Sequence, residues 1–321
     1  MVRELPASCR ELLSLQCGVI SRCQALDAGL PSDAIRGRLR TGSWRRLQRG
    51  VYATFTGQPP REAMLWAAVL RSGASAILSH QTAAELEGLT DRISPAIHVT
   101  IPTAEHIRGA TDLIVHRSSR IAVARHPALL PPRTRVEETV IDLTPTARST
   151  EEAFHWLSRA CGSRLTTASR LHVALSQRNQ VRYRNELLSG LAEIADGVHS
   201  TLEYRYVRGV ERPHELPKAK RQAWVTLGRA RRYLDNLYED YDVAVELDGH
   251  VAHLVHDRWR DVHRDNALTG KGIITLRYNW TDVTERACEV AAEIGAVLRC
   301  RGWADHPHPC SPRCPAQSRR P

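Results

Sequence analysis

Lysine is nearly absent from this chain: of its 45 basic residues only Lys218, Lys220 and Lys271 are lysines. The formal net charge of +10 is therefore carried almost wholly by arginine. A basic surface favours a polyanion such as nucleic acid. An arginine and alanine bias is also what GC-rich codon usage produces, so where the charge sits says more than its sum. Long apolar runs are missing too. None approaches the ~20 residues needed to span a bilayer, which argues against a membrane partner. Met1 to Arg10 mixes charges of both signs and has no apolar stretch, so no secretory signal is expected and the expected location is cytoplasmic. Paired cysteines are missing from the body of the chain. Cys9, Cys17, Cys23, Cys161 and Cys288 form no Cys-x₂-Cys unit, which reads as a reduced chain with free thiols. No internal repeat is present.

With 321 residues the chain exceeds one ordinary core, and two or three domains of roughly 100 residues each are expected. The pattern of elements divides it further. Residues 1–57 read as helix, helix, turn, helix and a short hairpin. Ser8 to Gly18 and Ile20 to Ala28 form the first two helices. Pro31-Ser32-Asp33 opens a third, which ends at Gly42, and Trp44 to Tyr52 alternates around Gly50 as a wing would. Residues 58–178 form an α/β middle region, with strands at Ala96 to Ile101 and Leu113 to Arg117. Helices there run over Arg61 to Arg71, Gln81 to Glu87, Glu151 to Gly162 and Thr167 to Ser176. Residues 179–303 open with two helices and continue with strands at Trp224 to Leu227, Arg232 to Tyr238, Val243 to Leu247 and Ile273 to Tyr278. The closing helix is Thr284 to Cys300. Clustered strands followed by interleaved helices predict a mixed α/β (α+β) fold. Residues 304–321 are proline-rich without apolar period and read as a disordered tail.

Two stretches carry chemistry. Between residues 31 and 50 stand six arginines (Arg36, Arg38, Arg40, Arg45, Arg46, Arg49) against the single acid Asp33. Arg36 and Arg40, four apart on the third helix, share a face, and Ile35 and Leu39 share the opposite one. A helix of this kind after a helix-turn suits the DNA major groove. Arg45, Arg46 and Arg49 on the hairpin would meet phosphate or minor groove. The competing reading is a packing module with a solvated arginine face.

The second stretch holds carboxylates. Asp235 lies in one strand and Glu246 and Asp248 in the next. A connection of two or four residues puts all three on one sheet face, because strand side chains repeat with period two. Acids in so apolar a strand repel one another unless solvated or neutralised. A hard divalent cation, Mg²⁺ or Mn²⁺, suits oxygen ligands of this kind, while a solvated sheet edge is the plainer alternative. Downstream, His250, His253, His256 and His263 offer a zinc site without a structural-zinc spacing. In the middle region His80, Gln81, Glu85 and Glu87 read as a helix start around a buried histidine, with no chemistry assigned. In the tail, Cys300, His306, His308, Cys310 and Cys314 could bind zinc or form a free polar end.

The segment GVISRCQALDAGLPSDAIRGRLRTGSWRRLQRGVYA, through Ala25, Gly29, Leu39, Trp44, Gly50 and Val51-Tyr52, resembles the winged-helix N-terminal domain of AbiEi-type antitoxins. ILSHQTAAELEGL resembles the region that follows it in that family. The resemblance spans about the first 120 residues and implies an operator-binding or toxin-neutralising ancestry, with a cognate toxin protein as a possible partner. Further on, STLEYRY, YLDNLYEDYDVAVELDG, His253, RDVHRDNAL and GIITLRYNWTDV resemble the very-short-patch-repair (Vsr-like) branch of the PD-(D/E)XK endonucleases. That resemblance implies Glu203 as the helix acid, Asp235 and Glu246 as metal ligands, and His253 as the histidine after the Asp-Gly step. Asp248 stands where many members have the catalytic lysine, and an Asp cannot supply that positive charge. The expected function is a Mg²⁺-dependent DNA endonuclease with a DNA-binding winged helix. The alternative is a non-catalytic DNA-binding regulator of antitoxin type that carries a degenerate nuclease fold.

Overall fold

The computed structural model describes residues 4–107, 112–227, 230–248 and 266–317. Among the described residues the fold is mixed, with helices and three separate small sheets. It divides into two compact units, Met1–Thr146 and Ala147–Pro321. Among the described residues no helix is long and apolar enough to cross a membrane.

The first unit begins with α1 (Ala7–Leu15), β1 (Val19–Ser21), α2 (Arg22–Asp27), α3 (Ser32–Arg40), β2 (Arg45–Gln48) and β3 (Val51–Ala53). Strand β3 lies centrally, antiparallel to both β1 and β2. The sequence pattern merges β1 with the helix after it, but Val19 and Ile20 pair with Ala53 and Tyr52 instead. The helix then starts at Arg22, because Ser21 and Gln24 form a reciprocal capping box. One core, built from Cys9, Leu13, Ile20, Ala25, Leu30, Ile35, Trp44 and Tyr52, joins the three helices to one side of the sheet. Helix α4 (Arg61–Ser72) packs Ala63, Trp66 and Ala67 against Val19 and Val51. The rest of the unit comprises β4 (Ile77–Leu78), α5 (His80–Leu86), β5 (Ile97–Pro102), β6 (Leu113–Ser118), α6 (Ile121–Ala124) and α7 (Val136–Leu143). Its sheet has the order β4-β5-β6, with β5 and β6 parallel.

The second unit contains α8 (Thr150–Gly162), α9 (Ala168–Ser176), α10 (Arg184–Ala195) and α11 (Thr201–Tyr206), the last continued by a π-helical turn, Val207–Glu211. The sequence pattern groups α8 and α9 with the middle region. Both fall within the second unit, where Phe154 of α8 stacks on Tyr204 of α11, ring centres 4.0 Å apart, and Gly190 of α10 leaves room for that ring. Strands β7 (Lys220–Leu227), β8 (Ala230–Tyr238), β9 (Val243–Asp248) and β10 (Ile274–Asn279) form one sheet in the order β10-β9-β8-β7. All neighbours are antiparallel except β9 and β10. Helices α12 (Trp280–Glu285) and α13 (Ala287–Cys300) close the unit. Polar residues fix the helix starts: Ser149, Thr167, Ser200 and Asn279 each accept a backbone N–H from the first turn.

The expected disordered tail from residue 304 is different in the structure. Up to Gln317 the chain folds back onto the second unit. His308 N–H donates to the carbonyl of His214 at 2.8 Å, Pro307 sits against Gly295 of α13, and Cys314 is buried. The His308 contact joins residues roughly a hundred positions apart, which local composition does not reveal.

Candidate DNA interface and acidic site

In the first unit Pro31 precedes α3, and Ile35 is buried in the core while Leu39 is half-buried. Arg36 and Arg40 are exposed on the other side. They are not equivalent, since Arg36 is ion-paired with Asp33. Arg38 turns inward. Its guanidinium lies over the Trp44 ring, 5.7 Å from the centre, so it belongs to the packing and not to the cationic face. Strands β2 and β3 are joined by Arg49-Gly50, with Gly50 at φ 74°, a left-handed conformation that glycine adopts without steric cost. The register slips between Arg46 and Gln48. Arg45 is half-buried with its guanidinium 5.6 Å from the Phe55 ring centre. Arg46 and Arg49 are exposed. Among the described residues, the guanidinium groups of Arg40, Arg46 and Arg49 have no hydrogen-bond or ion-pair partner. Three unneutralised cations thus stand on α3 and the neighbouring hairpin.

In the second unit, Glu239–Tyr241 and left-handed Asp242 (φ 52°) make a four-residue connection between β8 and β9. Tyr238 pairs with Val243 and Asn236 with Val245, so Asp235 and Glu246 occupy the next positions outward on the two strands. Asp235 leaves the regular ladder there. Its carboxylate accepts the backbone N–H of Leu247 at 2.9 Å and the side-chain amide of Gln222 at 3.5 Å. Glu246 is buried at 4 % exposure. Its register partner on β10 is Arg277, which donates to both Asp248 oxygens at 3.3 and 3.4 Å. A fixed cation therefore offsets the Asp248 charge, and the sequence pattern gave no warning of it because the pairing of β9 with β10 spans a long connection.

Glu203 is buried on α11. Its own N–H donates to Ser200 Oγ at 3.1 Å and its carboxylate accepts the N–H of His199 at 2.9 Å, so it also fastens the start of the helix. Burial pushes its pKa up. The nearby Asp235 charge adds to this, and the His199 N–H, the Ser200 hydroxyl and the Gln222 amide oppose it. The structure thus brings Glu203 and Asp235 into one electrostatic neighbourhood, with Gln222 between them. His253 lies outside the described residues. Among the described residues, two sets of three or more histidine, cysteine or acidic side chains bring ligand atoms within 4.8 Å of one another: His214, Cys288, Cys310 and Cys314, and Asp305, His306 and His308. The four acids Glu203, Asp235, Glu246 and Asp248 do not form such a set.

The middle region holds a feature that the sequence pattern does not reveal. His80 stacks on His116 with ring centres 3.6 Å apart, and His98 Nδ1 lies 3.0 Å from His116 Nε2. The three histidines come from α5, β5 and β6. Burial lowers the His116 pKa to about 4, with His80 and His98 adding to the effect and Asp142 opposing it.

Residues 10–54 match the family model described as a transcriptional regulator, the AbiEi antitoxin. The match runs from α1 to the residue after β3 and stops before Ile77–Leu89, where the resemblance seen in the sequence continues. No curated protein matches the chain.

Proposed function

We propose that this chain is a DNA-binding transcriptional regulator of AbiEi antitoxin type whose first elements, α1 to β3, work as a winged helix. In this reading α3 enters the major groove, presenting Arg36 and Arg40, and the β2–β3 hairpin is the wing that sets Arg46 and Arg49 against phosphates. The order helix, strand, helix, helix, strand, strand suits that use. The observation that carries the reading is the coincidence of the family match at residues 10–54 with the uncompensated Arg40, Arg46 and Arg49 on the same elements. A regulator of this kind acts in the cytoplasm on the promoter of its own operon, and a toxin encoded beside it is the natural protein partner. Footprinting with the purified chain on the DNA upstream of its own gene tests this. A protected, salt-sensitive site is expected. Protection no better than on unrelated DNA would overturn operator binding.

A second reading is favoured by the acids of the second unit. Glu246 is buried one position along β9 from the end of the β8 ladder, and a buried carboxylate is costly unless it is paired or holds a cation. An endonuclease would use Asp235 and Glu246 to hold Mg²⁺ or Mn²⁺, as such hard cations require oxygen ligands. It would also need a substitute for the missing lysine at 248, a role open to Arg277 or His253. Plasmid nicking with Mg²⁺ or Mn²⁺ separates the readings. Cleavage by the natural chain that Glu246→Gln abolishes establishes the nuclease, and intact plasmid under both metals leaves the regulator.

A further inference from the structure

The sequence has no zinc spacing in the body of the chain, and its tail candidates are Cys300, His306, His308, Cys310 and Cys314. The structure keeps two of these, Cys310 and Cys314, and joins them to His214 and Cys288 from the body of the second unit. His214 follows the π-helical turn and is completely buried. Cys288 is the second residue of α13. Cys310 and Cys314 come from the folded-back tail, where Cys314 N–H donates to the Ser311 carbonyl at 3.0 Å and closes a turn between them. The Cys288 and Cys310 sulfurs are 3.5 Å apart, and the Cys314 sulfur lies 3.4 Å from His214 Nε2. All four donor atoms lie within 4.8 Å of one another.

These distances suit a tetrahedron around one ion. With Zn–S near 2.3 Å and Zn–N near 2.0 to 2.1 Å, ideal tetrahedral edges are about 3.8 Å between sulfurs and about 3.5 to 3.6 Å between sulfur and nitrogen. A covalent disulfide needs about 2.05 Å, so Cys288 and Cys310 are not bonded to each other. The imidazole is already oriented. His214 Nδ1 sits 2.8 Å from the carbonyl of Val210, an acceptor only, so Nδ1 carries the proton and Nε2 presents its lone pair to the sulfurs. Metal-bound histidines are commonly fixed by such a hydrogen bond.

We propose that His214, Cys288, Cys310 and Cys314 form a structural zinc(II) site that fastens the C-terminal tail to the second unit. Three thiolates and one neutral imidazole make a closed, soft donor set with no position for substrate, which is the pattern of a structural zinc and not a catalytic one. On binding, the three thiols release their protons to solvent and the ion takes their place. The surroundings favour the arrangement before any ion arrives: His308 N–H already holds the His214 carbonyl, and Pro307 already fills the space above Gly295. Cys300, His306 and His308 lie outside the site. The proposal is independent of either reading of the protein's function.

The test uses the full chain without a polyhistidine tag, expressed with added zinc and purified without chelators. Elemental analysis is expected to find one zinc per chain, released when an organomercurial blocks the thiols. Cys300→Ser retains the ion, and the double variant Cys310→Ser/Cys314→Ser loses it. Cobalt(II) supplied in place of zinc should give the intense visible absorption of a tetrahedral thiolate site, whereas an octahedral carboxylate site is only weakly coloured. Gly295→Ala touches no ligand and keeps α13 helical, but its Cβ displaces Pro307, so a chelator should strip its zinc faster. Trypsin should cut after Arg301 and Arg313 only once the metal is removed. Absence of zinc from the natural chain, retention of zinc by the double variant, or a Cys288–Cys310 disulfide in the purified protein would each overturn the site. If the double variant does not fold, the cobalt spectrum and the Gly295→Ala stripping rate decide the matter on folded protein.

Discussion

Replacing Arg40, Arg46 and Arg49 together with alanine tests whether α3 and the hairpin lie on DNA phosphates. The three are exposed and have no partner among the described residues, so each is free to neutralise one phosphate. Each phosphate contact contributes about 0.9 to the slope of log affinity against log salt, so losing three reduces the slope by about 2.7. Over a threefold rise in salt, the natural chain should then lose about 20-fold more affinity than the triple variant. Two single variants calibrate the result. Arg36→Ala removes a charge already paired with Asp33 and should change the slope by clearly less than one contact. Arg45→Ala removes a half-buried guanidinium stacked on Phe55 and should lower stability more than slope. Fluorescence anisotropy with labelled operator and unrelated duplexes measures the slopes, and circular dichroism checks the fold. An unchanged slope in the triple variant would remove this face from the interface, and a slope governed by Arg36 and Arg45 would mean the helix is docked the other way round.

Other consequences concern stability. Burial holds the Glu87 carboxyl at about 8, with Glu137 adding to the shift and Arg133 and Thr139 opposing it, whereas its ordinary value is 4.5. Between those values the folded chain keeps a proton that the unfolded chain has lost, so stability falls as pH rises through this window. Glu87→Gln removes that penalty and should stabilise by on the order of 2–4 kcal/mol at pH 8, fading towards pH 4.5; a melting advantage that does not vary with pH would refute the assignment. Phe154→Ala empties the buried stack on Tyr204 and should cost about 3–5 kcal/mol in denaturant unfolding. A loss below about 1 kcal/mol would mean α8 is not held to the second unit through this ring.

Much of the local structure was legible in the sequence. Pro31-Ser32-Asp33 marked the start of α3, and the apolar pair Ile35 and Leu39 marked its inner side. The hairpin from Tyr233 to Asp248 was readable because alternation and a short polar connection fix register, and the connection is the four-residue one. Strand β1 was not readable, since three residues are too few to show a period and Ser21 belongs to the helix cap. Arg38 looked like a surface cation because helical spacing does not reveal that Trp44 folds back over it. The least legible parts rest on distant partners. The neutralisation of Asp248 needs β10 at its side, the histidine stack needs three elements, and Cys288 meets Cys310 only after the chain has reversed. A sequence pattern reports neighbours along the chain, and none of these groups are neighbours in that sense.

Helix α4 has a consequence for how this protein is dissected. The family match ends at residue 54, yet the sheet within it is covered on one side by Ala63, Trp66 and Ala67, which lie beyond that point. A fragment trimmed to the match would bare Val19 and Val51 along a three-stranded sheet, a surface prone to self-association. The stretch matched by the family model is therefore shorter than the stretch whose sheet is covered on both sides. Moving α1 to β3 onto another protein would require carrying the chain to about Ser72, or designing a new helix to lie where α4 does.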